Sequence, residues 1–207
     1  YGLPTISIRD LAIQKRENDL VLATFGRSFY VLDDYSPLRK LNSGSSKDYI
    51  LFDIKEALQY APIRSSSGSK GTSFFKSKNP PYGAIFTYNL PKAYETLKQI
   101  RKRNEAKLDK ENKDVPFPGW EKLDAELNEN PAKIVIEIRD KNGEFVDRVP
   151  GTNIKGVNRI AWSLTKPIVS TISSDNSYRG YRLSVQVDPG AYSATLMEYN
   201  CLLYTSP

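Results

Sequence analysis

Histidine is absent from this chain of 207 residues, cysteine and methionine occur once each, and no apolar run is long enough to cross a bilayer. Each absence removes a class of function. Without histidine there is no Ser-His or Cys-His nucleophile pair and no His-bearing zinc or iron site. The single cysteine, Cys201, has no partner in the chain for an internal disulfide. A membrane-spanning helix needs roughly 18 consecutive apolar residues, and none occurs. The Ser/Gly run at 65–71 lacks the Gly-Lys-Ser/Thr arrangement of a phosphate-binding loop. The chain opens at Tyr1 with neither an initiator methionine nor a leader-like stretch, and is read as a piece of something longer.

The composition that remains is that of a folded, basic protein. Hydrophobic residues make up 39% and charged residues 26%, enough apolar material for a packed core and too much for global disorder. Lys and Arg number 30 against 24 Asp and Glu, a net charge of +6.

Short β-prone runs separated by turn residues dominate both ends. Ile6, Ile8, Leu11 and Ile13 alternate, with a slip between Ile8 and Leu11. The polar stretch 15–19 follows, then apolar runs at 20–24 and 29–32 flanking Gly26, closed by Asp33 and Asp34. Runs of this length and period predict strands. Three of them in succession predict an antiparallel meander, most of one four-stranded propeller blade. Residues 37–47 form a polar connection, 49–54 a further strand, and 62–82 a Ser/Gly/Lys/Pro-rich linker.

The remainder predicts a β-sandwich interrupted by helices. A strand is expected over 84–90. Residues 91–131 read as a helical insertion, with Pro91 in the first turn and Tyr94, Leu97, Ile100 and Leu108 at helical spacing. The Pro/Gly run 115–119 is the stop, and a second stripe follows at Trp120, Leu123 and Leu127. Strands return at 133–139 and 144–149 around the Asn142-Gly143 hairpin signal, at 158–164 with Ile160, Trp162 and Leu164 on one face, at 181–187, and at 191–197 after Asp188-Pro189-Gly190. Six or seven short strands at this spacing suggest an immunoglobulin-like sandwich. The fold class expected is therefore mainly β: a remnant propeller blade (1–40), a strand and linker (41–82), and a sandwich (83–200) with the insertion 91–131. Residues 201–207 do not continue the strand pattern and read as a non-native tail.

Two stretches carry a resemblance. Arg9-Asp10-Leu11-Ala12-Ile13, Glu17-Asn18-Asp19-Leu20-Val21, the run 26–34 and Asn79-Pro80-Pro81-Tyr82-Gly83-Ala84 resemble the closing blade, and the region after it, of sortilin-like bacterial β-propeller proteins. That family is often labelled glycosyl-hydrolase-like for its sialidase-type repeats. The run from Ile134 to Met197, with its Asn-Gly hairpin, Gly156 to Trp162 and Pro189-Gly190-Ala191-Tyr192, is similar to the immunoglobulin-like domain of flagellar-hook-cap type. The resemblance implies a secreted or periplasmic C-terminal fragment, non-catalytic, working as a scaffold or interaction piece, whose partners are the rest of its own propeller and a protein or glycan. The alternatives are an accessory part of a glycoside hydrolase with its catalytic residues upstream, or a carbohydrate-binding module. No Asp-box of the sialidase type occurs.

Candidate chemistry is sparse. Tyr82 and Trp120, both beside Pro/Gly loops, are the candidate sugar-stacking residues; the opposing expectation is that Tyr82 fixes the start of its strand and Trp120 pins the inserted helix to the sheet. Asp33, Asp34 and Asp53 supply neither the roughly six oxygen ligands of a calcium site nor a paired-carboxylate geometry. Gly26-Arg27 reads as a tight turn. The stretch 92–113 holds eight Lys/Arg and four Asp/Glu, +4 of the total, but its interleaved Glu105, Asp109 and Glu111 describe a solvated helix face, not a nucleic-acid surface. No catalytic residue, metal or cofactor is assigned, and no nucleic acid or membrane span is expected.

Overall fold

The computed structural model describes residues 5–41, 48–61, 80–168 and 184–199. The chain is mainly β, all its sheets are antiparallel, and it divides into two compact units, Tyr1–Asp48 and Tyr49–Pro207. The expected linker stretch at 62–79, the loop at 170–180 and the tail at 201–207 lie outside the described residues.

In the first unit β1 (Ile8–Gln14), β2 (Asp19–Thr24) and β3 (Phe29–Leu32) pair in sequence order, the meander read from the alternation. The slip is real: the β1–β2 register shifts between Ile8 and Asp10. Asn18 and Ser28 turn the chain with positive φ. Cross-strand register sets Leu11, Leu22 and Tyr30 in one row and Ile13, Leu20 and Leu32 in the next, all on one face. Ala12, Val21 and Val31, with Ala23 and Phe29, occupy the other. Both faces are therefore apolar. Leu22 and Pro37 are buried, but Leu11 is 60% exposed and Phe29 69%. A short helix, α1 (Ser36–Leu41), follows where the sequence suggests only a polar connection.

The second unit comprises, in chain order, β4 (Ile50–Leu51), β5 (Ala84–Leu90), α2 (Leu97–Lys110), α3 (Trp120–Leu127), β6 (Lys133–Asp140), β7 (Phe145–Pro150), β8 (Gly156–Trp162), β9 (Thr165–Pro167), β10 (Ser184–Gln186) and β11 (Tyr192–Tyr199). They form sheets of order β4-β5-β8 and β11-β6-β7, with β9 and β10 as a separate pair. Alternation builds the core. Ala84, Phe86, Tyr88 and Leu90 from β5, Ile134, Ile136 and Ile138 from β6, and Trp162, Leu164 and Val187 form one buried cluster. The expected inward face of β8 is thus observed, with Ile160 partly buried against that cluster. The strand expected over 49–54 shrinks to Ile50–Leu51.

Two glycines are required by close approach. A Cβ on Gly83, at φ +109, would lie 1.9 Å from the Trp162 carbonyl oxygen, so β5 begins against β8 only with glycine there. A Cβ on Gly151 would lie 2.7 Å from Tyr88 Oη and 2.9 Å from an Ile134 methyl.

The helical insertion differs from expectation at both ends of α2. Pro91 lies outside the helix, which starts six residues later. Thr96 accepts from the Gln99 N–H while the Gln99 side chain accepts from the Thr96 N–H, a reciprocal cap legible as Thr-x-x-Gln. The helix ends before the Pro/Gly run: Asn112 takes φ 52, its N–H reaches the Asp109 carbonyl, and the Lys113 N–H reaches that of Leu108. The β6–β7 hairpin falls at Asn142-Gly143, with the Gly143 N–H on the Asp140 carbonyl and a register shift between Ile138 and Arg139.

Candidate functional site

A cavity of about 540 Å³ opens beside the core of the second unit. After β4 the chain leaves its sheet as an extended strap. The Phe52 N–H donates to the Thr87 carbonyl of β5 at 3.0 Å, and seven residues on Gln59 Nε2 donates to the Val187 carbonyl at 3.2 Å. Between these two ties the strap covers an apolar hollow walled by Phe86, Ile138, Trp162, Leu164 and Val187, with Lys55, Glu56 and Asp188 also lining it. Trp162 is 3% exposed. Its indole N–H is taken up by Asp147 Oδ2 at 3.1 Å and the Thr165 carbonyl at 2.9 Å, which leaves hydrocarbon toward the hollow. Tyr192 meets the Trp162 ring edge-on at 5.5 Å and donates its hydroxyl to the Asp188 carbonyl at 2.6 Å. Burial, then Asp188 and Asp140, push the Tyr192 hydroxyl pKa up. Such a hollow accepts apolar groups and orients them by ring contact; its size is within the range of small-molecule sites.

The two sequence-predicted residues fall in contrasting places. Tyr82 packs against the core, its ring edge-on to Tyr60 at 5.1 Å, its buried hydroxyl without a hydrogen-bond partner among the described residues. Trp120 is 74% exposed at the start of α3 and touches Phe117 edge-on at 5.2 Å. The expectation that Trp120 pins the helix to the sheet is thus corrected: Trp120 and Leu127 point to solvent while Leu123 is half-buried, because the side of α3 facing α2 carries Glu126 instead. Asp34, at φ 46, accepts from the backbone and hydroxyl of Ser36 and donates its N–H to Asp19 Oδ1, a turn-forming role at the start of α1. Among the described residues no group of three or more His, Cys, Asp or Glu side chains could hold a metal ion, and no helix is long and apolar enough to cross a membrane.

Three charged or polar clusters escaped the sequence reading. Glu137, on the outer side of β6 yet 5% exposed, receives Arg148 at 2.8 Å and Arg139 at 2.6 Å. Arg148 and then Arg139 hold its carboxyl below the usual carboxylate range. The Arg148 guanidinium also stacks on Phe145 and Tyr199, 5.3 and 5.5 Å from the ring centres. Arg101 joins the helices, bidentate to Glu126 at 2.6 and 3.0 Å and bound to Glu105 at 2.7 Å, and it lowers the Glu126 pKa. Tyr49 and Tyr94 share a hydrogen bond of 2.8 Å, and Tyr94 donates to Glu198 at 2.6 Å; burial first, then Glu198 and Tyr49, drive the Tyr94 pKa far up. Arg101–Glu105, four residues apart on one helix, and Glu137–Arg139, two apart on one strand face, carried a local signal.

Compared with known protein families, with curated proteins and with solved structures, the chain matches none of them.

Proposed function

We propose that this chain is a non-catalytic scaffold and interaction piece. In this reading the β1–β3 sheet is one blade of a larger β-propeller, and the two three-stranded sheets of the second unit are an immunoglobulin-like sandwich bearing a helical insertion. The observation that carries it is the two-faced apolarity of the β1–β3 sheet. A sheet with one solvated face alternates apolar and polar residues, whereas here Leu11, Ile13 and Leu32 stand on one face and Phe29 and Val31 on the other, all well exposed. A sheet stacked between two neighbours of its own kind needs that pattern, and blades arranged radially supply it. In the same reading the setting is extracellular or periplasmic, which rests only on the resemblance of the runs 9–34 and 79–84 to secreted propeller proteins.

Amide hydrogen exchange on the chain by itself tests the reading. Residues 8–32 are expected to exchange fast, with protection rising when the remainder of the parent polypeptide is added. Slow exchange over β1–β3 in the lone chain, unchanged by that addition, overturns it.

A further inference from the structure

The hollow beneath the strap has no part in the scaffold reading. It exists because of three alanines. On the inward rows of the two sheets Ala84 of β5 stands opposite Trp162 of β8, and Ala194 of β11 stands opposite Ile138 of β6. Ala57 of the strap lines the same space. Protein interiors pack about as densely as organic crystals. Three methyl groups where larger side chains would meet therefore leave a gap, here about 540 Å³. That volume is within the range of sites for small organic molecules.

The lining sets the chemistry of an occupant. Phe86, Trp162 and Tyr192 bring three aromatic rings to one space, and such rings favour edge-on or offset contact with another ring. The indole N–H and the Tyr192 hydroxyl are already donated elsewhere, so these two side chains offer the interior ring contact alone. The rim is acidic, on a chain of net charge +6. Glu56 and Asp188 line it. The half-buried Asp140 and Asp147 stand behind them, Asp140 opposite Tyr192 in the β6–β11 register and Asp147 on the Trp162 indole. None of these four carboxylates enters an ion pair among the described residues. Lys55, which also lines the hollow, is already engaged. The negative field is felt at the Tyr192 hydroxyl, whose pKa burial and then Asp188 and Asp140 push up. Such a field over a ring-lined hollow attracts a cation that carries an apolar body.

From this combination we infer that the hollow binds a small aryl-alkyl amine. Its ring lies among Phe86, Trp162 and Tyr192, and its ammonium group faces Glu56 and Asp188 at the rim. A neutral analogue has only the first half of the match, and an acid of the same shape meets repulsion. Every residue of the site belongs to the second unit, so this inference and the blade reading of β1–β3 stand or fall separately.

The test uses the full chain, which has two tryptophans. With Trp120→Phe, Trp162 is the only one left and its emission reports on the hollow. Phenylbutylamine is expected to change that emission saturably and to bind at least about tenfold more tightly than phenylbutyrate, with phenylbutanol between them. Ala194→Leu places a larger side chain in the hollow and is expected to abolish the response while the thermal midpoint stays level or rises. If that variant unfolds, Glu56→Gln combined with Asp188→Asn decides. It alters exposed rim groups only, and is expected to keep the parent's midpoint and reduce the preference for the amine to about threefold or less. No saturable response to any of the three compounds, phenylbutyrate binding as tightly as the amine, a response that survives Ala194→Leu in a folded chain, or an amine preference untouched by the rim pair overturns the inference.

Discussion

Tyr88 and Thr152 hold each other through both backbone groups of the threonine: the Tyr88 hydroxyl accepts the Thr152 N–H at 2.6 Å and lies 2.9 Å from the Thr152 carbonyl, to which it donates. Tyr88 is fully buried in β5, and Thr152 belongs to the connection between β7 and β8. One phenol thus satisfies a stretch of backbone that has no strand partner. Tyr88→Phe removes the bond without changing the ring and is expected to cost about 1 kcal/mol, the net contribution of a typical hydrogen bond. Urea unfolding of the variant against the parent chain checks it; a midpoint unchanged at constant slope would mean that water replaces the hydroxyl.

Gly83 faces a different constraint. Its added methyl would collide with a main-chain oxygen, which cannot rotate away. Gly83→Ala is expected to destabilise the second unit by more than the roughly 1 kcal/mol of an ordinary backbone change, whereas Gly26→Ala in the first unit, where no atom lies near, meets only the cost of its positive φ. Thermal melts of the two variants separate the cases.

The Glu137 cluster makes stability depend on acid. Arg148 and Arg139 lower the folded-state pKa below the unfolded value, about 4.3 for Glu. The folded chain then binds fewer protons than the unfolded one, so this contribution is complete above that unfolded value and is lost as pH falls through the folded one. Glu126, lowered by Arg101, adds to the same window. Glu137→Gln is expected to lower stability at neutral pH and flatten its fall in acid. Denaturation midpoints measured down to about pH 3 read both effects, and an acid slope equal to the parent's would refute the assignment.

Tyr82 and Trp120 are expected to part company under truncation. Tyr82→Ala removes a ring packed on the core and on Tyr60 and should cost about 3 kcal/mol or more. Trp120→Ala removes an exposed ring and should leave stability within about 0.5 kcal/mol of the parent chain. Equal losses at the two sites would place Trp120 in a core contact.

Much of the local architecture was readable before any coordinates. Alternation at period two marked β1–β3 and the inward row of β8, β-prone runs marked β5 and β6, and Asn142-Gly143 located a hairpin. Thr96-x-x-Gln99 is equally legible as a helix start, whereas the fixed φ of Pro91 suits a first turn but does not demand one. The site was far less legible. The strap from Phe52 to Gln59 has no period to announce that it closes a cavity, and the Glu137 cluster depends on Arg148 lying opposite across a hairpin.

By itself, then, the sequence determined the β character, the turns and the exclusion of histidine chemistry, because periodicity and residue type are properties of the chain taken a few residues at a time. Only the tertiary structure decided that β5 pairs with β8 across some seventy residues, that Gly83 must pass beneath a carbonyl, and that Tyr82 turns inward while Trp120 turns out. Those outcomes depend on which surface a distant segment covers, and no short window of sequence contains that partner.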